Sequence, residues 1–347
     1  MALIPTTILT GFLGAGKTTL LNRILQEQHG HKIAVIENEF GEANIDNEIL
    51  VQDQGEQIVE MNNGCICCTV RGDLILALSA LGQKREAGEL TFDRVIIETT
   101  GLANPGPVAQ TFFMDDDVAS QFRLDAIITV VDARHAMQQL DAHEEAQRQV
   151  GFADRLLLSK TDLVSSEEVQ LLSARLKRIN PRAPIEQADF GRAPLAAILD
   201  IHGFNLNEKL EIDPDFLAAE EPHVHDEHCG HDHEHSPQHG HGHAGHGHSD
   251  DIAAFLFRSA RPFDPARLDD FLGSIVQVYG PRMLRYKGVL LMEGADRKVV
   301  FQGVHQMMGS DIGSKWGAQE ARGSKMVFIG KNLPKDVFIQ GLEQCLV

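Results

Sequence analysis

Two short stretches of the sequence hold residues whose types and spacing can do chemistry. "GFLGAGKTT", Gly11–Thr19, satisfies the pattern G-x-x-x-x-G-K-[ST]. Glycines such as Gly14 and Gly16 let the backbone curl until its N–H groups point at phosphate oxygens, and the following helix N-terminus adds positive potential. Lys17 then reaches the terminal phosphates, Thr18 offers a hydroxyl to Mg²⁺, and Thr19 continues the same turn. The second stretch, "NNGCICCTV", places Cys65, Cys67 and Cys68 within four residues of a chain that has only five cysteines.

Thiolate sulfurs are soft donors suited to Zn²⁺ and related transition metals, with Co²⁺ and Ni²⁺ also acceptable. In an extended chain Cys65 and Cys67 share a face, whereas on a helical turn Cys65 and Cys68 meet. Two or three sulfurs can converge, but the segment does not supply four protein ligands. Three leave a coordination position open, which suits loading and unloading. Glu37, closing the run "KIAVIE", is either a further oxygen ligand or a solvated acid at a strand end. Redox cycling of Cys67 and Cys68 is the competing reading, and a disulfide staple the weaker alternative.

A phosphate loop needs partners. "RVIIETTG" puts Glu98 at the end of an apolar strand, where an acid holds Mg²⁺ directly or through water, and Gly101 next to the γ-phosphate. Lys17 and Glu98 are thus the candidate catalytic pair. Downstream, "LLLSKTD" is close to the guanine-reading [NT]-K-x-D element. Asp162 would accept hydrogen bonds from guanine, and Lys160 would pack along the base plane. Ser159 stands where that element has Asn or Thr, so one contact is lost or shifted. The carboxylate favours GTP over ATP. The cysteine loop falls between the phosphate loop and Glu98, in the stretch that responds to the γ-phosphate, so a metal there could sense the nucleotide.

A third feature is the tract His223 to His248, which holds 11 of the chain's 17 histidines, among them His225, His231, His233 and His241. Imidazole is the commonest metal ligand and is mostly neutral near pH 7. The tract reads as a metal reservoir for the cysteine site, against the plainer reading of a solvated linker. It has almost no apolar residues, so disorder is expected. His29, His135 and His305 stay unassigned.

The elements that must position these groups follow from the pattern. Short apolar runs at 6–10, 32–37, 94–98, 126–132 and 155–160 read as strands buried on both faces, and helical stretches at 17–28, 71–82 and 166–179 lie between them. That alternation is α/β with a mostly parallel sheet. The expected units are a nucleotide-binding domain over 1–204, a linker with the histidine tract over 205–251, and a smaller α+β domain over 252–347. In the last, "IAAFLF", the helix "FDPARLDDFLGSIV", three strands "MLRYKGVLLME", "KVVFQGVHQM" and "KMVFIG", and a closing helix give the order βαβββα.

Composition limits the partners. The 347 residues carry a formal charge of −19, from 50 acidic and 31 basic side chains. That balance argues against nucleic acid or an anionic membrane and suits cations. "MALIPTTILTGF" has neither the basic region nor the apolar run of a signal peptide, and the unpaired cysteines suit a reducing compartment, so a cytoplasmic location is expected.

Together, "TGFLGAGKTTLLN", "IENEFGE", "NGCICC", "ETTGLANP" with "QTFF", "SKTD", "LRYKG" and "MVFIG" resemble the CobW/YjiA-type metallochaperone GTPases over nearly the whole chain. The resemblance implies a P-loop GTPase domain with a smaller C-terminal domain. It also implies Cys65, Cys67 and Cys68 as metal ligands with Glu37 nearby, Lys17 and Thr18 on phosphate and Mg²⁺, and Glu98 completing the Mg²⁺ shell. The function implied is a GTP-hydrolysing chaperone that binds zinc or a similar metal and hands it to a client protein. A metal buffer with a nucleotide-toggled site and a nickel-insertion GTPase are the alternatives, with a kinase more distant.

Overall fold

Apolar runs too continuous for a half-exposed strand fold here as a sheet covered on both sides. The computed structural model describes residues 3–27, 29–38, 49–51, 70–204, 250–317 and 320–347; the cysteine loop and the histidine tract lie outside them. The first sheet contains β1 (Ile4–Gly11), β2 (Ile33–Asn38), β3 (Ile49–Val51), β4 (Arg94–Thr99), β5 (Phe122–Asp132), β6 (Arg155–Ser159) and β7 (Ile185–Gln187). Their order across the sheet is β3-β2-β4-β1-β5-β6-β7. Six strands run parallel, and only the edge strand β3 is antiparallel, to β2. Parallel strands need crossovers. These are α1 (Lys17–Gln26), α2 (Val70–Glu86), α3 (Pro105–Met114), α4 (Asp116–Gln121), α5 (Ala136–Ala142), α6 (Glu144–Phe152) and α7 (Ser166–Ile179).

Successive residues of the central strands go to opposite layers, as the two-residue period requires. Leu9, Ile96, Ile128 and Leu157 join a core with Leu20 and Leu21 of α1. Their neighbours Ile8, Ile97, Ile127 and Leu158 face the other layer with Phe112 and Leu176. That second layer also holds Leu256, Leu284, Val327 and Ile329 from the C-terminal sheet, so one core is built from both sheets.

The C-terminal sheet consists of β8 (Ile252–Ser259), β9 (Met283–Leu290), β10 (Arg297–Val304), β11 (Met307–Lys315) and β12 (Ser324–Lys331). It is antiparallel throughout, in the order β11-β10-β9-β12-β8. Val327 and Ile329 point to the first sheet's layer, while Met326 and Phe328 pack under α8 (Pro265–Tyr279) and α9 (Lys335–Gln344) with Phe255 and Phe338. One expectation is corrected. "KVVFQGVHQM" is not a single strand: β10 stops at Val304, His305 takes a left-handed turn (φ 52°), and the chain returns as β11. The order is therefore βαββββα. β11 escapes the sequence pattern because it is a sheet edge whose side chains are nearly all exposed, so no apolar alternation marks it. The three-residue strands β3 and β7 also carry too few residues to show a period. No helix among the described residues is long and apolar enough to cross a membrane.

Ion pairs bury themselves where the two sheets meet. The side chains of Arg285 (β9) and Asp154, ahead of β6, are 1% and 2% exposed, with Nη2 2.7 Å from Oδ1. The other Asp154 oxygen accepts from Ile127 N at 3.0 Å. Arg285 also donates to Gly203 O at 2.8 Å, and its guanidinium lies 3.5 Å over the Phe204 ring. Arg175 of α7 clasps Asp250 at 2.6 Å and Asp141 at 2.7 Å, and so fixes the chain just ahead of β8. Removing one partner of such a pair leaves the other charge buried and unmatched. Asp154→Ala is therefore expected to lower the unfolding free energy by about 3–5 kcal/mol, read from urea denaturation. A loss of well under 1 kcal/mol would show that this pair does not hold the sheets together.

Candidate nucleotide and metal site

The carboxyl ends of β1, β4, β5 and β6 bring the sequence-identified residues to one edge, where open α/β sheets bind ligands. At the end of β1 the chain enters the phosphate loop. Gly14 (φ 71°) and Gly16 (φ 99°) both take left-handed backbone conformations that other residues adopt only at a cost. Gly16 is also the N-cap of α1, and no side chain fills that cap. By contrast, α3, α4, α7 and α8 are capped by the side chains of Asn104, Asp115, Ser165 and Asp264. The first N–H groups of α1 are thus left open to an anion.

Lys17 is buried, and its Nζ donates to the loop's own carbonyls, Gly11 O at 3.0 Å and Phe12 O at 3.4 Å. Burial lowers its pKa, and the nearby Glu98 carboxylate partly opposes that shift. Thr18 Oγ1 donates to Glu98 Oε1 at 2.9 Å, across 80 residues of sequence. A hydroxyl and a carboxylate oxygen at that separation, beside the phosphate loop, fit the all-oxygen preference of Mg²⁺. Thr19 lies exposed in the same first turn of α1.

Gly101 is buried against the tip of the phosphate loop. A Cβ there would stand 2.6 Å from Leu13 N, so no larger residue fits. Gln149 of α6, itself buried, holds this turn by donating to Gly101 O at 3.1 Å and Ala103 O at 3.0 Å. At the end of β6, Lys160 (φ 57°) sends its Nζ to Gly14 O at 2.8 Å and to Asp132 Oδ2 at 2.7 Å. Its four-carbon stem therefore spans from the SKTD turn to the phosphate loop. Asp162 stands exposed in the 3-10 turn Thr161–Leu163. Ser159, the departure from the guanine-reading pattern, donates to Ala15 O at 2.7 Å and so ties down the phosphate loop.

Three contributors were not singled out by sequence. Asp132 ends β5, much as Glu98 stands one residue before the end of β4, which is the signal that could have flagged it. It accepts from Lys160, from His135 Nδ1 at 2.9 Å and from Arg134 N at 2.9 Å. Burial alone would raise its pKa, but these hydrogen bonds and the Lys160 charge hold it below the usual carboxylate range. Asp189 accepts from Thr161 N at 2.7 Å and from the Thr161 hydroxyl, and fixes the SKTD turn. Gln149, an ordinary polar residue within a helix, carries no sequence signal at all.

Cys65, Cys67, Cys68 and the histidines 223–248 lie outside the described residues, as does any statement about the Glu37 side chain. The Glu37 backbone is in register with Glu98 on the neighbouring strand. α2 begins at Val70, two residues after Cys68. Among the described residues, no group of three or more His, Cys, Asp or Glu side chains is placed to hold a metal ion.

Comparison with known proteins places this geometry. Residues 5–187 match the model of the CobW/HypB/UreG nucleotide-binding domain, and residues 252–346 that of the cobalamin synthesis protein cobW C-terminal domain. The zinc chaperone YjiA of Escherichia coli K12 is 39% identical over 333 residues, covering 96% of this chain and 96% of that protein. The zinc chaperone CobW of Pseudomonas aeruginosa is 35% identical over 377 residues, covering 100% of this chain and 92% of that one. The crystal structure of the Zn(II)-bound YjiA GTPase from E. coli superposes with a TM-score of 0.76 at 36% identity, with both chains covered in full. The chain therefore belongs to the CobW family of P-loop nucleotide-binding proteins, in the two-part form that joins the CobW/HypB/UreG domain to the CobW C-terminal domain.

Proposed function

We propose that this protein is a GTP-hydrolysing metal chaperone, which binds zinc at the Cys65–Cys68 loop and passes it to a client protein. The observation that carries the reading is the Thr18–Glu98 hydrogen bond beneath an uncapped phosphate loop, with the SKTD turn fastened to the same loop through Ser159 and Lys160. Relatives that match over nearly their whole length are named zinc chaperones, which supports zinc as the cargo. The CobW C-terminal domain at 252–346 counts against a nickel-insertion GTPase, which would lack it.

In hydrolysis, water attacks the γ-phosphorus and the bond to the β-phosphate oxygen breaks, so the task of the protein is positioning and charge stabilisation. The open N–H groups of α1 hold the phosphates, and the Lys17 ammonium shifts from the carbonyls of Gly11 and Phe12 onto phosphate oxygens. Thr18 and Glu98 would hold Mg²⁺, which would supply charge neutralisation at the phosphate oxygens. Gly101, pressed against Leu13, is the backbone group placed to feel the γ-phosphate. Asp162 reads the guanine edge, and the Lys160 stem supports the ring.

Transfer requires that nucleotide and metal influence each other. Glu37 and Glu98 sit opposite one another on adjacent parallel strands, roughly 4.8 Å apart across the sheet. The cargo side and the nucleotide side thus share one strand pair. Linkage makes any such coupling reciprocal. Zinc that binds more tightly with GTP than with GDP is released on hydrolysis, which separates a chaperone from a passive buffer.

Three outcomes follow. Lys17→Ala is expected to reduce kcat for GTP by about 10²–10³-fold or more, while thermal unfolding stays near that of the unaltered protein; near-normal turnover would remove this loop from the chemistry. Asp162→Asn is expected to cut the preference for GTP over ATP by about 10²-fold, the loss of two hydrogen bonds to a charged acceptor. Equal use of ATP and GTP by the unaltered protein would defeat the base assignment. Finally, zinc affinity measured by chelator competition, with Mg²⁺ present, is expected to differ about 5–150-fold between a non-hydrolysable GTP analogue and GDP. Equal affinities would favour the buffer.

A further inference from the structure

Phe190 occupies a position that packing does not explain. Its backbone is left-handed, with φ 53° and ψ 30°. Among the described residues the other non-glycine positions with positive φ are Lys160, Asp200, His202, His305 and Asn332, all polar. For a bulky apolar residue this conformation is a genuine outlier, and strain of this kind persists only where the surroundings enforce it. Yet the Phe190 side chain is not compensated by burial, since the residue is 72% exposed.

The surroundings that enforce it belong to the nucleotide site. On one side, Asp189 binds both the backbone N–H and the hydroxyl of Thr161, next to Asp162. Ala188 N donates to Leu158 O at 2.7 Å, in the strand that delivers Ser159 and Lys160. On the other side, Gly191 presses on α1 so closely that a Cβ would meet Thr19 O at 2.9 Å. Phe190 is thus stationed between the base-reading turn and the first turn of the phosphate helix, with both sequence neighbours fixed. A purine held there has its edge toward Asp162 and one face on the Lys160 stem. A flat aromatic ring at the same rim suits the purine's π-face, and such stacking is tolerant of base identity.

We infer that Phe190 is the stacking platform for the purine ring of the bound nucleotide, a positioning residue that adds affinity without choosing between bases. This rests on the reading of the site as a GTP site. It predicts a pattern that a purely structural phenylalanine would not give. Phe190→Gly removes the ring and also relieves the left-handed backbone, so the melting temperature holds or rises. Affinity for GDP and for a non-hydrolysable GTP analogue falls equally, by roughly 5- to 150-fold for a lost base–aromatic stack. KM for GTP rises with it, and kcat falls far less. Inhibition by inorganic tripolyphosphate, which has no base, is the same in both proteins. Phe190→Trp keeps the affinity, and its emission is quenched on adding GDP.

The measurement is calorimetric titration of the full-length protein and both variants with GDP and the analogue, alongside thermal melts. Unchanged GDP affinity in Phe190→Gly, with the unaltered protein binding GDP, overturns the platform and leaves the GTP site standing; the exposed ring is then a surface for another macromolecule. A fall in melting temperature that matches the fall in affinity also overturns it, in favour of packing. Failure of the unaltered protein to bind guanine nucleotides overturns both this inference and the reading beneath it.

Discussion

A loop that holds phosphate with backbone N–H groups must have its own carbonyls secured elsewhere, because every main-chain polar group needs a partner. Here those partners come from residues distant in sequence. Ser159 takes Ala15 O and Lys160 takes Gly14 O. The strand ends of β4 and β6 therefore do more than present side chains to a ligand. They hold the phosphate loop in the shape the ligand needs, and the tight contact of Gly101 with Leu13 leaves little slack between them. Preorganisation of this kind removes the ordering cost from the binding step.

The same economy extends into the second domain. α6 carries Gln149, which holds the Gly101–Ala103 turn, and two residues earlier Gln147, which accepts from Ile252 N at 3.2 Å where β8 begins. Its first residue, Glu144, pairs with Lys331 at the end of β12. One short helix thus touches the turn beside the phosphate loop and two strands of the other sheet. The turn beside the phosphate loop and the C-terminal sheet are therefore held by the same helix.

Much of this was legible because two strong patterns coincide: apolar runs too continuous for a half-exposed strand, and a phosphate-loop spacing placed between a strand and a helix. Strands β1, β2, β4, β5 and β6 and the residues Lys17, Thr18 and Glu98 came from those patterns. What escaped has physical reasons. β11 is an edge with no buried face, and its glycines and polar residues read as loop. Arg285 and Asp154 carry no sign that they are buried, since sequence counts charges as surface until a partner is known. Ser159 read as a weakened base contact, whereas its hydroxyl is spent on Ala15. Asp189 and Phe190 follow a strand too short to announce itself.

The two arginine clasps have a further consequence. Arg285 and Gln302 grip the chain at Gly203 and Phe204, the last described residues before the histidine tract, and Arg175 grips Asp250, the first after it. The tract is therefore a parenthesis in the fold, opened and closed by the folded body. A polypeptide nicked inside the parenthesis would remain one particle, because the shared core and the buried clasps, and not the peptide linkage, keep the two sheets together.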